Sequence, residues 1–299
     1  VYGVLRDHAT FSSARGIAPG FRGDGRGPAQ TLMITADPPR HTRLRELVNR
    51  AFTPRIVEAL RPRIKEIVDG LLAASAGQST EVDVVEALTY PLPVIVIAQL
   101  LGIPPEDRER FKRWSSAVIG LTDTGMREDN RLSVFEMMQY FMGVIVQRRG
   151  APGDDLITAV VQAKIDGQSL NEFELVGFCL LLLVAGNEST TNLIGNMLNV
   201  LADRPDLWAR LRADRSLVGP VIEETLRYDS PVQLLWRTTT RPVQFHGTAI
   251  DENTKVMVAF AAANRDPAAF PEPDEFRLDR LLNRHVAFGY GIHYCLGAP

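Results

Sequence analysis

The stretch Phe288–Gly297, FGYGIHYCLG, sets a cysteine among glycines and aromatics, and it governs how the rest of the chain is read. Gly289, Gly291 and Gly297 permit positive φ and let backbone come close to a flat ligand. Backbone N–H groups of such a loop can point at the Cys295 sulfur and hold it as a thiolate, with Phe288 covering one side of the ligand. A lone cysteine beside glycine is more often an ordinary turn with an incidental thiol. Yet Phe, Gly, Gly, His, Cys and Gly at fixed offsets are seldom met by accident. A zinc site on His293 and Cys295 lacks partners, since the only other cysteine, Cys179, lies in an apolar run and there is no second Cys/His pair.

Around that loop stand 299 residues, 45% of them hydrophobic, enough to bury a large core. No low-complexity linker and no internal period interrupts them, so a single domain over residues 1–299 is expected. The 33 basic and 36 acidic residues are intermixed and leave a net charge of -3, which excludes nucleic acid as a partner class. Two cysteines make no disulfide framework, and a reducing cytoplasm fits them. The longest apolar run, LVGFCLLLLVAG (Leu175–Gly186), falls short of the roughly 20 residues a bilayer needs, so a buried helix is expected and no membrane anchor. The opening VYGVLRDHAT has neither a basic nor an apolar leader region.

Helical spacing dominates. In RHTRLRELVNRAF (Arg40–Phe52) apolar residues recur at Leu44, Leu47, Val48 and Ala51, and a second amphipathic run, RIVEALRPRIKEIVDGLLAA, follows Pro54. Further helices are predicted in YPLPVIVIAQLLG, in PEDRERFKRWSSAVIG, from Arg131 to Arg149, in DDLITAVVQAK, from Glu172 to Asp203 and in VGPVIEETLRYD. Strand signals are confined to VQLLWRTTT, VQFHGTAI and TKVMVAFA, and NRDPAAFPEPDEFRLDRLLNR (Asn264–Arg284) is expected to be a long ordered loop.

Three more constellations carry chemistry. VAGNESTT (Val184–Thr191) follows bulky leucines with the small Ala185 and Gly186, leaving space at the helix surface, and sets Glu188 beside Ser189 and Thr190; a helix turning its solvent face accounts for the same residues. Glu224 and Arg227 share a helical face where a bidentate pair can form, although most such pairs are solvated. His41 and Arg45 are four apart on one face, Arg237 sits in a strand signal and His293 precedes Cys295 by two; each alone reads as a surface charge.

The loop resembles the haem-thiolate signature of the cytochrome P450 family, Phe-x-x-Gly-x-x-x-Cys-x-Gly, at Phe288, Gly291, Cys295 and Gly297. The resemblance implies that Cys295 is the proximal iron ligand, whose thiolate favours O–O cleavage. The family motif Ala/Gly-Gly-x-Asp/Glu-Thr-Thr/Ser is met at Ala185, Gly186, Glu188 and Thr190, with Ser189 where Thr is usual. By resemblance this stretch crosses the distal haem face, widens locally to bind O2, and relays protons through the acid and the alcohol. Glu224 and Arg227 match Glu-x-x-Arg, which in the family joins a further arginine in a buried structural network. That role is given to Arg265, with Arg277 next in line, because Glu275 stands in Pro273–Phe276 where many relatives carry the arginine. His41, Arg45, Arg237 and His293 take the positions that bind the haem propionates, and Phe288, Gly289, Gly291 and Gly297 the loop that faces the cofactor.

The fold so implied is mainly α, the cytochrome P450 fold, a helical haem domain with a small β-sheet region, with further segments expected before Val1 and after Pro299. The implied enzyme is a monooxygenase of the soluble bacterial type, a cytoplasmic monomer with haem b (iron protoporphyrin IX). It takes O2 and a small, moderately hydrophobic organic substrate, and receives electrons from NAD(P)H through ferredoxin and ferredoxin reductase, or a flavodoxin. A peroxide-using haem enzyme and a non-catalytic haem-binding protein stay open beside it. The substrate pocket is expected from Phe11–Gln30, from Trp114 to Phe141, and from Leu182, Ala185, Val232, Leu234 and Leu235.

Overall fold

The computed structural model describes residues 1–18, 32–51, 54–76, 81–123, 128–280 and 282–298. The chain opens with a short helix, α1 (Tyr2–Arg6), and a two-residue strand, β1 (Phe11–Ser12). Neither was signalled by periodicity, because each is too short to show one.

A run of helices follows: α2 (Arg40–Ala51), α3 (Pro54–Ala59), α4 (Arg61–Ser75), α5 (Pro91–Leu100), α6 (Arg108–Asp123), α7 (Glu128–Gly150), α8 (Leu156–Gln162) and α9 (Glu172–Ala202). Leu44, Leu47 and Val48 are buried on one face of α2 as their spacing requires; Phe52 lies outside the described residues. The amphipathic run expected to be one helix after Pro54 is broken at Leu60 into α3 and α4, since Pro62 at the start of α4 has no N–H to continue the ladder. Phe111, Trp114, Met137, Phe141 and Ile145, all fully buried, lock α6 against α7. Asp155 caps α8 by accepting the Thr158 N–H at 2.8 Å.

The rest is α10 (Pro205–Ala213), α11 (Val218–Tyr228), β2 (Leu234–Thr239), β3 (Val243–Phe245), β4 (Thr248–Ile250), β5 (Lys255–Ala259) and α12 (Phe260–Ala263). β1, β2 and β5 form an antiparallel sheet in that order. The segment VQFHGTAI is a hairpin rather than one strand: His246 and Gly247 take positive φ of 48° and 80°, the two-residue turn that joins β3 to β4. Residues 264–280 form an ordered loop without regular structure, as expected.

The described residues group into two compact units, one of residues 1–18 and 192–298, the other of residues 32–191. In the first, Val4, Leu5, Phe11, Val258, Phe260 and Val286 make a core on the sheet. α9, with 31 residues, is the one described helix long and apolar enough to cross a membrane. It has the features of a core helix, for in its middle Asn187 is fully buried and donates to Ser115 Oγ at 2.6 Å.

Candidate functional site

In the first unit the cysteine loop is a pair of hydrogen-bonded turns. Gly289 N–H donates to the Val286 carbonyl at 2.9 Å, and Cys295 N–H donates to the Phe288 carbonyl at 2.9 Å. Gly289 and Gly291 have φ of 70° and 74°, the left-handed region that the turns demand. A Cβ on Gly291 would stand 2.5 Å from the Leu5 carbonyl oxygen, so α1 packs directly on this loop. Tyr290 is held from the same side, edge-on to Tyr2 at 4.9 Å and accepting from Arg6 at 2.9 Å. Cys295 is half-buried. The opposite case is Cys179, fully inside α9, where burial pushes the thiol up and out of the reactive range.

Ahead of the loop, Glu224 and Arg227 meet in the bidentate pair that their spacing allows, at 2.7 and 2.9 Å, with both side chains excluded from water. The third arginine of this network is Arg280, not Arg265: Arg280 Nε donates to Glu224 at 3.0 Å, and its remaining N–H groups reach the carbonyls of Pro271, Glu272 and Glu275. Arg265 instead donates to the Tyr228 carbonyl, pairs with Asp274 and lies 4.3 Å over the Tyr228 ring. Arg277 contributes only its backbone N–H to Glu224, its side chain pairing with Glu272 and Asp279. The loop has no periodicity from which the choice among three arginines could have been read. Burial raises the Glu224 carboxyl, but hydrogen bonds from Arg227, the Arg277 N–H and Arg280 outweigh it and hold the group below its ordinary value.

Arg237 is buried in β2, 4% exposed, and donates to the Trp236 carbonyl at 2.8 Å. Strand alternation sets Leu235 on the face shared with Arg237 and Leu234 on the other, so the two leucines expected to line one pocket part company. Val232 and Leu235 pack against the sheet core, while Leu234 is exposed. Of the expected pocket segments, residues 19–30 and 124–127 lie outside the described residues.

In the second unit His41 is buried and Arg45 half-buried on one face of α2. Arg43, on another face, pairs with the buried Glu174 at the start of α9. On α9 itself Ala185 and Glu188 are exposed, Leu182, Ser189 and Thr190 half-buried. Ser189 Oγ donates to the Ala185 carbonyl four residues back at 2.6 Å, a bond that shares this carbonyl with the helix ladder. The space beside Gly186 is not open: a Cβ there would meet Ile97 Cδ1 at 2.9 Å, so this glycine admits α5 to close packing. Asn187 and Thr191 were not singled out by the sequence. Asn187 reaches Ser115 on α6, and Thr191 reaches the Thr89 carbonyl in a π-helical turn, Val85–Thr89.

These features suit haem. The loop is open at Gly297, where no heavy atom lies within 4 Å of a Cβ placed there, and Cys295 two residues before it is only half-buried. In the first unit Arg237, a guanidinium withdrawn from water, is the kind of donor that a partly buried propionate requires. Among the described residues no group of three or more His, Cys, Asp and Glu side chains could hold a bare metal ion.

The family model for Cytochrome P450 matches residues 147–299. Cytochrome P450 109 of Bacillus spizizenii is 42% identical over 308 residues, covering 99% of this chain and 72% of that protein. This chain belongs to the cytochrome P450 family. 6-Deoxyerythronolide B hydroxylase of Saccharopolyspora erythraea is 40% identical to this P450 over 281 residues, 94% of the chain and 69% of the hydroxylase. The substrate-free crystal structure of CYP109E1 from Bacillus megaterium superposes with a TM-score of 0.92 at 40% identity, covering all of this P450 and 78% of that chain. The same CYP109E1 in complex with testosterone gives 0.88. This P450 has the mainly helical fold of its family and is a haem-iron monooxygenase, an oxidoreductase.

Proposed function

We propose that this P450 inserts one atom of O2 into a small, moderately hydrophobic organic molecule, with electrons from NAD(P)H through a ferredoxin and its reductase, or a flavodoxin. The observation that carries the reading is the acid beside an anchored alcohol on α9: Glu188 is exposed and Ser189 Oγ is held on the Ala185 carbonyl. Haem b supplies the oxidation chemistry when bound. By the family resemblance Cys295 would hold its iron as thiolate, Phe288, Gly289, Gly291 and Gly297 would form the loop beside it, and Arg237, His293, His41 and Arg45 would hold the propionates. The Ser189 hydroxyl, donating to the Ala185 carbonyl, is free to accept a hydrogen bond at Oγ and so to hold a proton donor in place, while the Glu188 carboxyl, with Thr190 near it, exchanges protons with solvent. A peroxide-driven enzyme would have no use for that pair.

The substrate class is supported by relatives, a 6-deoxyerythronolide B hydroxylase and a CYP109E1 whose crystal structure holds testosterone, a largely apolar molecule. We take the chain to work as a single haem-thiolate domain, a monomer in the cytoplasm. The buried Asn187 and exposed Glu188 halfway along α9 are groups a bilayer would penalise. Turnover with NADPH and redox partners tests the reading: the parent should form product coupled to O2 uptake, and Ser189→Ala should divert most of the electrons to hydrogen peroxide. Product from peroxide but none from redox partners, or unchanged coupling in Ser189→Ala, refutes it.

A further inference from the structure

We propose that Asn264 is a positioning residue for Cys295, an inference that rests on reading Cys295 as the iron ligand. Asn264 is fully buried at the end of α12, and every polar group it owns has a fixed partner. Its carbonyl accepts from Arg227 at 3.1 Å and its N–H donates to the Phe260 carbonyl at 2.9 Å. In the side chain, Nδ2 donates to Ser230 Oγ at 2.8 Å and Oδ1 accepts the Val286 N–H at 2.7 Å. Ser230 in turn donates to the Leu226 carbonyl in the last turn of α11 at 2.7 Å.

Val286 is where the cysteine loop begins. Its carbonyl takes the Gly289 N–H, and the neighbouring Phe288 carbonyl takes the N–H of Cys295 itself. Hydrogen bonds therefore run from α11 through one carboxamide to the first turn of the loop, and through the second turn to the backbone of the ligand. A carboxamide presents a donor and an acceptor in one rigid plane, so it fixes the loop's register as well as its distance from α11. Groups behind a metal ligand commonly set its orientation in this way. Arg227 joins the same residue to the Glu224 pair, so the buried ionic network bears on the cysteine through Asn264.

The test compares Asn264→Leu with Ser230→Ala in the haem-loaded protein. Both remove a buried hydrogen bond, but only the first deprives the Val286 N–H of its acceptor. Asn264→Leu is expected to convert the red-shifted thiolate ferrous–CO band several-fold faster to the band of a protonated or displaced thiol, at temperatures where circular dichroism shows it folded. Ser230→Ala should keep the parent spectrum. In the haem-free chain, where Cys179 is buried, Cys295 should react with iodoacetamide several-fold faster in Asn264→Leu than in Ser230→Ala. Asn264→Ala makes the same deletion with room for a water and serves if leucine prevents folding. An Asn264 variant that keeps both the parent band and the parent thiol rate overturns the proposal, as does Ser230→Ala changing them equally. A parent with no thiolate band overturns the reading of Cys295 as ligand, and the inference with it.

Discussion

Gly291 shows how one residue can be constrained twice. Its φ of 74° is unfavourable for any side chain, and the Leu5 carbonyl occupies the place of a Cβ. Gly291→Ala is expected to cost at least about 1–2 kcal/mol from backbone conformation alone, more with the clash, read as a fall in the urea midpoint. Gly297→Ala, where nothing stands within 4 Å, should leave stability almost unchanged. At Cys295 the expected result is spectroscopic: Cys295→Ser should lose the red-shifted ferrous–CO band that the parent shows after dithionite reduction. The cysteine and its glycines were legible as residues because type and offset carry the chemistry. Leu5 as the obstacle at Gly291 was not, since the two lie at opposite ends of the chain.

Between α11 and the loop after α12, the ionic network decides stability. Arg280 is 8% exposed and serves Glu224 and three carbonyls, whereas Arg265 is 38% exposed. Arg280→Met should therefore cost about 3–5 kcal/mol, as when a partner is removed from a buried ion network, and Arg265→Met about 1–2 kcal/mol, both measured by denaturant unfolding. Acid acts on the same element. The Glu224 carboxyl is held below its ordinary value of 4.5, so its contribution is complete above that pH and is lost as pH falls through the lower, folded value. Parent melting temperatures should drop steeply on acidification, and those of Glu224→Gln should start lower and fall less; equal slopes would refute the assignment. The (i, i+3) spacing made the Glu224–Arg227 pair legible, because a helix fixes which residues are neighbours. Its third arginine belongs to an irregular loop, where sequence distance says little about spatial distance.

For the whole molecule, a ligand that binds only the folded state raises stability with its concentration. Haem at about 100 times its dissociation constant should add about 2.7 kcal/mol, seen as a melting temperature that climbs with added haem and climbs less in Cys295→Ser. Periodicity alone located the long helices and the three strand regions, since burial of one face demands it at every turn. It misjudged the run broken at Leu60 and overlooked α1, β1, α10 and α12, where a proline or the shortness of the element outweighs the pattern. The sequence by itself determined the family, the cysteine loop, the Glu224–Arg227 pair and the acid beside an alcohol on α9, because each depends on residue type at short, regular separation. Only the tertiary structure decided that Arg280 completes the network, that Ile97 fills the space at Gly186, and that Asn264 ties α11 to the cysteine loop. Those contacts join residues from 22 to 89 positions apart, and packing chooses among chemically equal candidates that no local pattern can rank.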